Sequence, residues 1–160
     1  MAFITHRVYM TDLKCALDLK HIALNTRDVV YTLKPFTVLR WKHKKIGGTC
    51  MVYASGKIIH HGEKYQLRKY ARLLQKLGYN VCLNNIKLVT QSATYTLPSV
   101  NYEHLVKTMR ATYEPEIYHA CIFKRGRMSF TVYKSGKVVI TGIKNIDDAL
   151  GVLIEIAWQQ

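Results

Sequence analysis

Apolar residues recur every three or four positions over residues 64–77. There Leu67, Tyr70, Ala71, Leu74 and Leu77 fall on one helical face, and Gly78 follows as a stop. A second helix is predicted over residues 146–158, capped by Asn145, with Asp147 and Asp148 suited to its positive end. Shorter helices fit residues 17–25 and 100–110. Two hairpins are predicted by β-rich runs around a small turn: residues 49–53 and 57–61 flank Ser55-Gly56, and residues 130–133 and 137–141 flank Ser135-Gly136. A further strand precedes each hairpin, at 36–44 and 117–124.

The chain repeats itself. Val52-Tyr53-Ala54-Ser55-Gly56-Lys57 matches Val132-Tyr133-Lys134-Ser135-Gly136-Lys137 at five of six positions, 80 residues later in a chain of 160. Each copy continues through apolar residues to a glycine, Gly62 or Gly142. Residues 31–36 (Tyr-Thr-Leu-Lys-Pro-Phe) echo residues 113–118 (Tyr-Glu-Pro-Glu-Ile-Tyr) in the same order. Two ordered matches at similar offsets, 80 and 82 residues, imply duplication, and two copies are too few for a solenoid. The expected architecture is an α+β domain with pseudo-two-fold halves, residues 1–80 and 81–160. The halves share one antiparallel sheet, covered by helices on one face. The uncovered face then carries the functional question.

Charge sharpens that question. Twenty-four Lys and Arg against ten Asp and Glu leave a net charge of +14, which calls for an acidic partner: nucleic acid, an anionic membrane face or an acidic protein. No apolar run reaches the ~18 residues of a membrane span, because Glu155 interrupts the best one, residues 149–158. The opening Met-Ala-Phe-Ile-Thr-His-Arg lacks the apolar region of a signal peptide, so a soluble intracellular protein is expected. Cys15, Cys50, Cys82 and Cys121 are too widely spaced for a metal-binding pair and are expected to be buried, reduced thiols. His60 and His61 point to opposite faces of a strand and cannot chelate together. A Cys–His nucleophilic pair has no local support. The acids form no DxD metal motif and the glycines no phosphate loop, so binding is expected rather than catalysis, with no cofactor or metal.

The order of elements, with particular residues in it, resembles the TATA-binding protein family. The matches are Cys15-Ala-Leu-Asp-Leu-Lys20 with Ile22-Ala-Leu24, Tyr53-Ala-Ser-Gly-Lys57, Arg68-Lys-Tyr-Ala-Arg72 with Gln75-Lys-Leu-Gly78, Tyr113-Glu-Pro-Glu116, and Ser135-Gly-Lys-Val-Val139 with Thr141-Gly142. They span nearly the whole chain in family order and mark it as a divergent, minimal core.

The resemblance implies a saddle with its helices on the convex face, whose concave sheet face sits on the DNA minor groove. It implies aromatic wedges at Phe36 and Tyr53 in the first half and at Tyr118 and Tyr133 in the second. The family uses phenylalanine at all four, and a phenol buried without a partner for its hydroxyl forfeits about 1–3 kcal/mol. Minor-groove contact positions fall on His6, Val8, Ile59, Thr90, Val139 and Thr141. His6 and Thr90 replace a central pair of asparagines, and Ser92 and Thr131 are polar where the family is apolar, which implies relaxed sequence preference. Phosphate contacts fall on Lys34, Lys42, Lys57, Lys124, Lys137 and Lys144; singly each reads as solvated surface, together as an electrostatic footprint.

Two further surfaces are implied. Glu114, Glu116 and Ile117 match a turn that docks general transcription factor IIB, or else form a proline turn in solvent. Arg68, Lys69, Arg72 and Lys76 lie on the outward face of the 64–77 helix, as a docking or a solubility face. The implied function is a general transcription initiation factor that binds and bends promoter DNA. Its partners would be IIB-like and IIA-like factors and, indirectly, RNA polymerase, in the nucleus or a viral transcription compartment and with no membrane. Two alternatives stand beside it: a regulatory, protein-binding derivative that has lost wedging, and an accessory domain of a nucleic-acid hydrolase.

Overall fold

A computed structural model describes residues 3–34 and 37–158. The first repeat runs β1 (Phe3–Asp12), α1 (Leu19–Asn25), β2 (Val29–Thr32), β3 (Val38–Trp41), β4 (Thr49–Val52), β5 (Lys57–His61) and α2 (Lys64–Lys76). The second runs β6 (Lys87–Thr96), α3 (Tyr102–Met109), β7 (Cys121–Arg125), β8 (Met128–Val132), β9 (Lys137–Ile143) and α4 (Ile146–Trp158). The place of β2 is taken in the second repeat by an isolated bridge between Thr112 and Ile122. The strands form an open antiparallel sheet in the order β2-β3-β4-β5-β1-β6-β9-β8-β7. Two compact units divide the chain, residues 7–89 and residues 1–6 with 90–160.

Alternation along the strands decides which face each helix covers. In residues 7–89, Leu39, Trp41, Cys50, Val52 and Ile58 are buried with Leu19 and Ile22 of α1 and with Tyr70, Ala71 and Leu74 of α2. Burying a side chain such as Leu74 contributes about 1.5–3 kcal/mol. In the other unit Ala93, Cys121, Phe123, Phe130, Val132, Val138 and Ile140 pack under Leu105 and Met109 of α3 and Ala149, Val152, Leu153 and Ile156 of α4. Phe123 and Phe130 stack with ring centroids 4.8 Å apart. Within each unit the intervening strand residues face away from the helices.

The duplicated Ser-Gly turns are built alike. Tyr53 N donates to Lys57 O (3.0 Å) and Gly56 N to Tyr53 O (3.0 Å); Tyr133 N donates to Lys137 O (2.9 Å) and Gly136 N to Tyr133 O (2.9 Å). Gly56 and Gly136 both have positive φ, +99° and +94°. A Cβ there would also collide with the Cys15 or the Leu97 carbonyl. The turn carbonyls accept from Leu13 N and Leu97 N, which fastens each hairpin to the end of the long strand beside it.

Several boundaries move for local reasons. Helix α1 starts at Leu19 because Asp18 stays extended and its side chain accepts from His21 N; Asn101 does the same for α3 through His104 N. The strand expected over 36–44 is only Val38–Trp41. The one expected over 117–124 begins at Cys121, because residues 114–118 close a turn in which Ile117 N and Tyr118 N both donate to Glu114 O. Of the four cysteines, Cys50 and Cys121 are fully buried and burial pushes their thiol pKa values up, whereas Cys15 and Cys82 are only half-buried.

Candidate nucleic-acid interface

The uncovered face of residues 7–89 follows from strand register. Met51 lies opposite Ile59, and Ile59 opposite Met10; Arg40 lies opposite Met51, and Val30 opposite Arg40. A second row joins Thr49, His61 and Val8. Ile59 and Val8, both singled out by sequence, therefore share this face, although Val8 is buried at 8% exposure. Tyr53 is half-buried at the end of the same hairpin, and Lys57 is exposed beside it. Lys34 and Lys42 are exposed in the segments flanking β3. Phe36 lies outside the described residues.

The other unit repeats the plan with different side chains. Val139 lies between Thr131 and Thr94, and Ile122 lies opposite Thr131. Thr141, Ser129 and Lys124 form the adjoining row. Lys124, Lys137 and Lys144 are exposed, as is His6 on β1. Thr90 is placed differently from a contact residue that offers its hydroxyl: its Oγ1 is buried without a hydrogen-bond partner. The register of β6 against β9 shifts just beyond it, between Gln91 and Ala93. Gln91 Nε2 donates to Lys144 O at 3.0 Å, which ties the base of α4 to β6.

At the end of this unit the two tyrosines meet. Tyr118 Oη and Tyr133 Oη are 2.7 Å apart, and the rings meet edge to face with centroids 6.3 Å apart. His119 stacks at a tilt against both, 4.6 Å from Tyr118 and 5.4 Å from Tyr133. The hydrogen bond to Tyr133 raises the Tyr118 pKa by favouring the neutral phenol, and desolvation adds to the shift. The turn before them is braced from below. Tyr113 packs edge-on against Tyr102 at 4.6 Å, the Tyr102 hydroxyl donates to Val132 O at 2.8 Å, and Lys134 Nζ lies 5.9 and 5.8 Å from the two ring centroids. That brace leaves Glu114, Glu116 and Ile117 outside, with Ile117 78% exposed.

On α2, Arg68, Lys69, Arg72 and Lys76 are exposed, opposite the buried Leu67, Tyr70, Ala71 and Leu74. Among the described residues no cluster of His, Cys, Asp and Glu could hold a metal ion. No helix among them is long and apolar enough to cross a membrane.

Comparison with known proteins decides what this arrangement belongs to. The family described as "Transcription factor TFIID (or TATA-binding protein, TBP)" matches residues 3–77 and 85–157. The chain belongs to the TATA-binding protein family. It is 34% identical over 148 residues to "TATA box-binding protein-like 2" of Rattus norvegicus, covering 86% of this chain and 43% of that protein. It is 33% identical over 153 residues to "TATA-box-binding protein 1" of Triticum aestivum, covering 88% and 65%. The chain thus spans 43% and 65% of the length of these two relatives. In fold it matches the Methanococcus jannaschii TBP with a TM-score of 0.86 and 24% identity, over 99% of this chain and 97% of that one.

Most of the sequence-derived residues among those described lie on the two helix-free faces or beside their ends. Residues that sequence reasoning passed over are Met10, Arg40, Met51, His61, Thr94 and Ser129 on those faces, and His119 beside the tyrosines. The usable signal was the two-residue strand period counted outward from Ile59 and Val139. Arg40 was hidden because a lone arginine between Leu39 and Trp41 reads as surface.

Proposed function

We infer that this protein is a transcription initiation factor that binds double-stranded promoter DNA through the uncovered sheet face, bends it from the minor-groove side and docks other initiation factors. One observation carries the reading. In both units a helix-free sheet face ends at a Tyr–x–Ser–Gly–Lys turn, so a flat aromatic ring and an exposed lysine flank a partly apolar surface that no helix covers. Such a surface fits the shallow edge of base pairs, while Lys34, Lys42, Lys57, Lys124, Lys137 and Lys144 neutralise phosphates. Phe36 and Tyr53 act as wedges at one end and Tyr118 and Tyr133 at the other. His6, Val8, Ile59, Val139 and Thr141 contribute to the groove contact, with relaxed sequence preference, whereas the buried hydroxyl of Thr90 does not. Glu114, Glu116 and Ile117 dock a IIB-like factor, and the basic face of α2 docks a second partner. The site of action is the nucleus, or a viral transcription compartment.

Gel shifts on A·T-rich and random duplexes at two salt concentrations, with energy transfer across an end-labelled duplex, test this reading. Salt-dependent binding accompanied by end-to-end shortening is expected. The Tyr118–Tyr133 hydroxyl bond favours a second reading, a protein-binding derivative whose phenols stay bonded to each other; absence of both binding and bending would select it.

A further inference from the structure

The two repeats present different chemistry at equivalent places on their uncovered faces. Met51 and Thr131 are 80 residues apart, as are Ile59 and Val139. In residues 7–89 the central cross-strand row reads Met51, Ile59, Met10, with Arg40 opposite Met51. In the other unit it reads Thr131, Val139, Thr94, with Ile122 opposite Thr131. All of these are half-buried except Arg40, which is exposed. A thioether–alkyl–thioether row ending in a guanidinium thus stands against a hydroxyl–alkyl–hydroxyl row ending in an alkyl group. In the adjoining rows Thr49 and His61 correspond to Ser129 and Thr141, polar in both repeats.

We propose that residues 7–89 accept only A·T pairs in the minor groove while residues 90–160 accept A·T and G·C pairs, so that the protein sits on unsymmetrical sites in one orientation. The inference rests on the minor-groove reading given above. In that groove an A·T pair offers acceptors alone, and a G·C pair adds the guanine N2 amino donor. Methionine and isoleucine pressed on that edge remove the amino group from water and give it no acceptor, which costs a factor of about ten or more per pair. A threonine hydroxyl donates to the adenine and thymine acceptors and also accepts from the guanine amino group, so it satisfies either pair. Arg40 strengthens the difference, because a narrow A·T groove concentrates negative potential and draws in a guanidinium.

The test uses a self-complementary A·T duplex, the same duplex with G·C pairs in one half, and the same with G·C in both. On the proposal, the first half-substitution costs less than about threefold, because the tolerant repeat takes that half. The second costs about tenfold or more. Inosine·cytosine pairs, which lack the amino group, remove the second cost. The double variant T94M/T131M makes the first substitution as costly as the second, and M10T/M51T makes both cheap; thermal melting verifies that each variant is folded. Equal costs for the two halves, or variants that leave the pattern unmoved, would overturn the proposal while DNA binding stands. Failure to bind any of the duplexes would remove the minor-groove reading itself, and the proposal with it.

Discussion

Tyr118 and Tyr133 are hydrogen-bonded to each other, hydroxyl to hydroxyl at 2.7 Å, at the position where the family resemblance places a pair of wedges. A phenol that enters a base stack must keep a partner for its hydroxyl or forfeit about 1–3 kcal/mol. These two arrive with the partner supplied, provided that they move as a pair. Separating them strands both hydroxyls.

Single and double phenylalanine variants therefore behave differently. Tyr118→Phe alone leaves the Tyr133 hydroxyl without its partner and weakens bending of a labelled duplex. The double variant Y118F/Y133F removes both hydroxyls, and it binds more tightly and bends more than the parent. End-to-end energy transfer measures this; a double variant weaker than either single one would show that the hydroxyls themselves contact DNA.

Salt reports the lysines. Six phosphate contacts give a slope of log affinity against log salt near ~−5. Replacing Lys57 and Lys137 together with alanine flattens it by roughly two units on every sequence alike. A parent slope near zero in a fluorescence-anisotropy titration would remove the edge lysines from the interface.

Charge reversal at Glu114 and Glu116 separates docking from DNA binding. Both acids are exposed in a turn braced by Tyr113 on Tyr102. E114K/E116K abolishes assembly with a IIB-like factor in a supershift assay and leaves DNA affinity intact or improved. Equal loss of both would make the turn purely structural.

Acid sensitivity comes from a different place, the core of residues 7–89. His60 Nε2 lies 3.0 Å from Gln66 Oε1, which also accepts from Glu63 N at 2.8 Å, so Nε2 is the donor and the proton sits there. Nδ1 is buried with no partner, and a second proton has no acceptor to meet. Burial accordingly lowers the His60 pKa, His61 lowers it further, and Gln66 and Glu63 oppose the shift. A histidine with a depressed folded pKa binds more protons when unfolded. Stability is therefore full above the unfolded value of about 6.5 and declines as pH falls from there toward the folded pKa. Thermal melts between pH 7.5 and 5 show this decline in the parent, and His60→Gln, less stable at pH 7.5, shows a flatter profile. Parallel profiles would exclude His60 as the source.

Much of this architecture was legible in the residues. The helical spacing from Leu67 to Leu74, the Ser-Gly turns and the 80-residue echo depend on contacts a few positions apart, which local sequence encodes directly. So does the opposite placement of His60, which is buried, and His61, which faces away. What lies across a strand is different in kind. Period two assigns Met51 to a face, but only the ladder of hydrogen bonds decides that Ile59, rather than its neighbours, stands opposite it. The bond between Tyr118 and Tyr133 likewise required residues 114–118 to close a turn instead of extending β7, and that turn is braced by Tyr102 from another element. The buried Thr90 hydroxyl and the register shift just beyond it are announced by no pattern in β6. Sequence determined the repeats, the turns and the residues of each face; tertiary structure decided which side chains are neighbours, because register is set by pairing between distant segments.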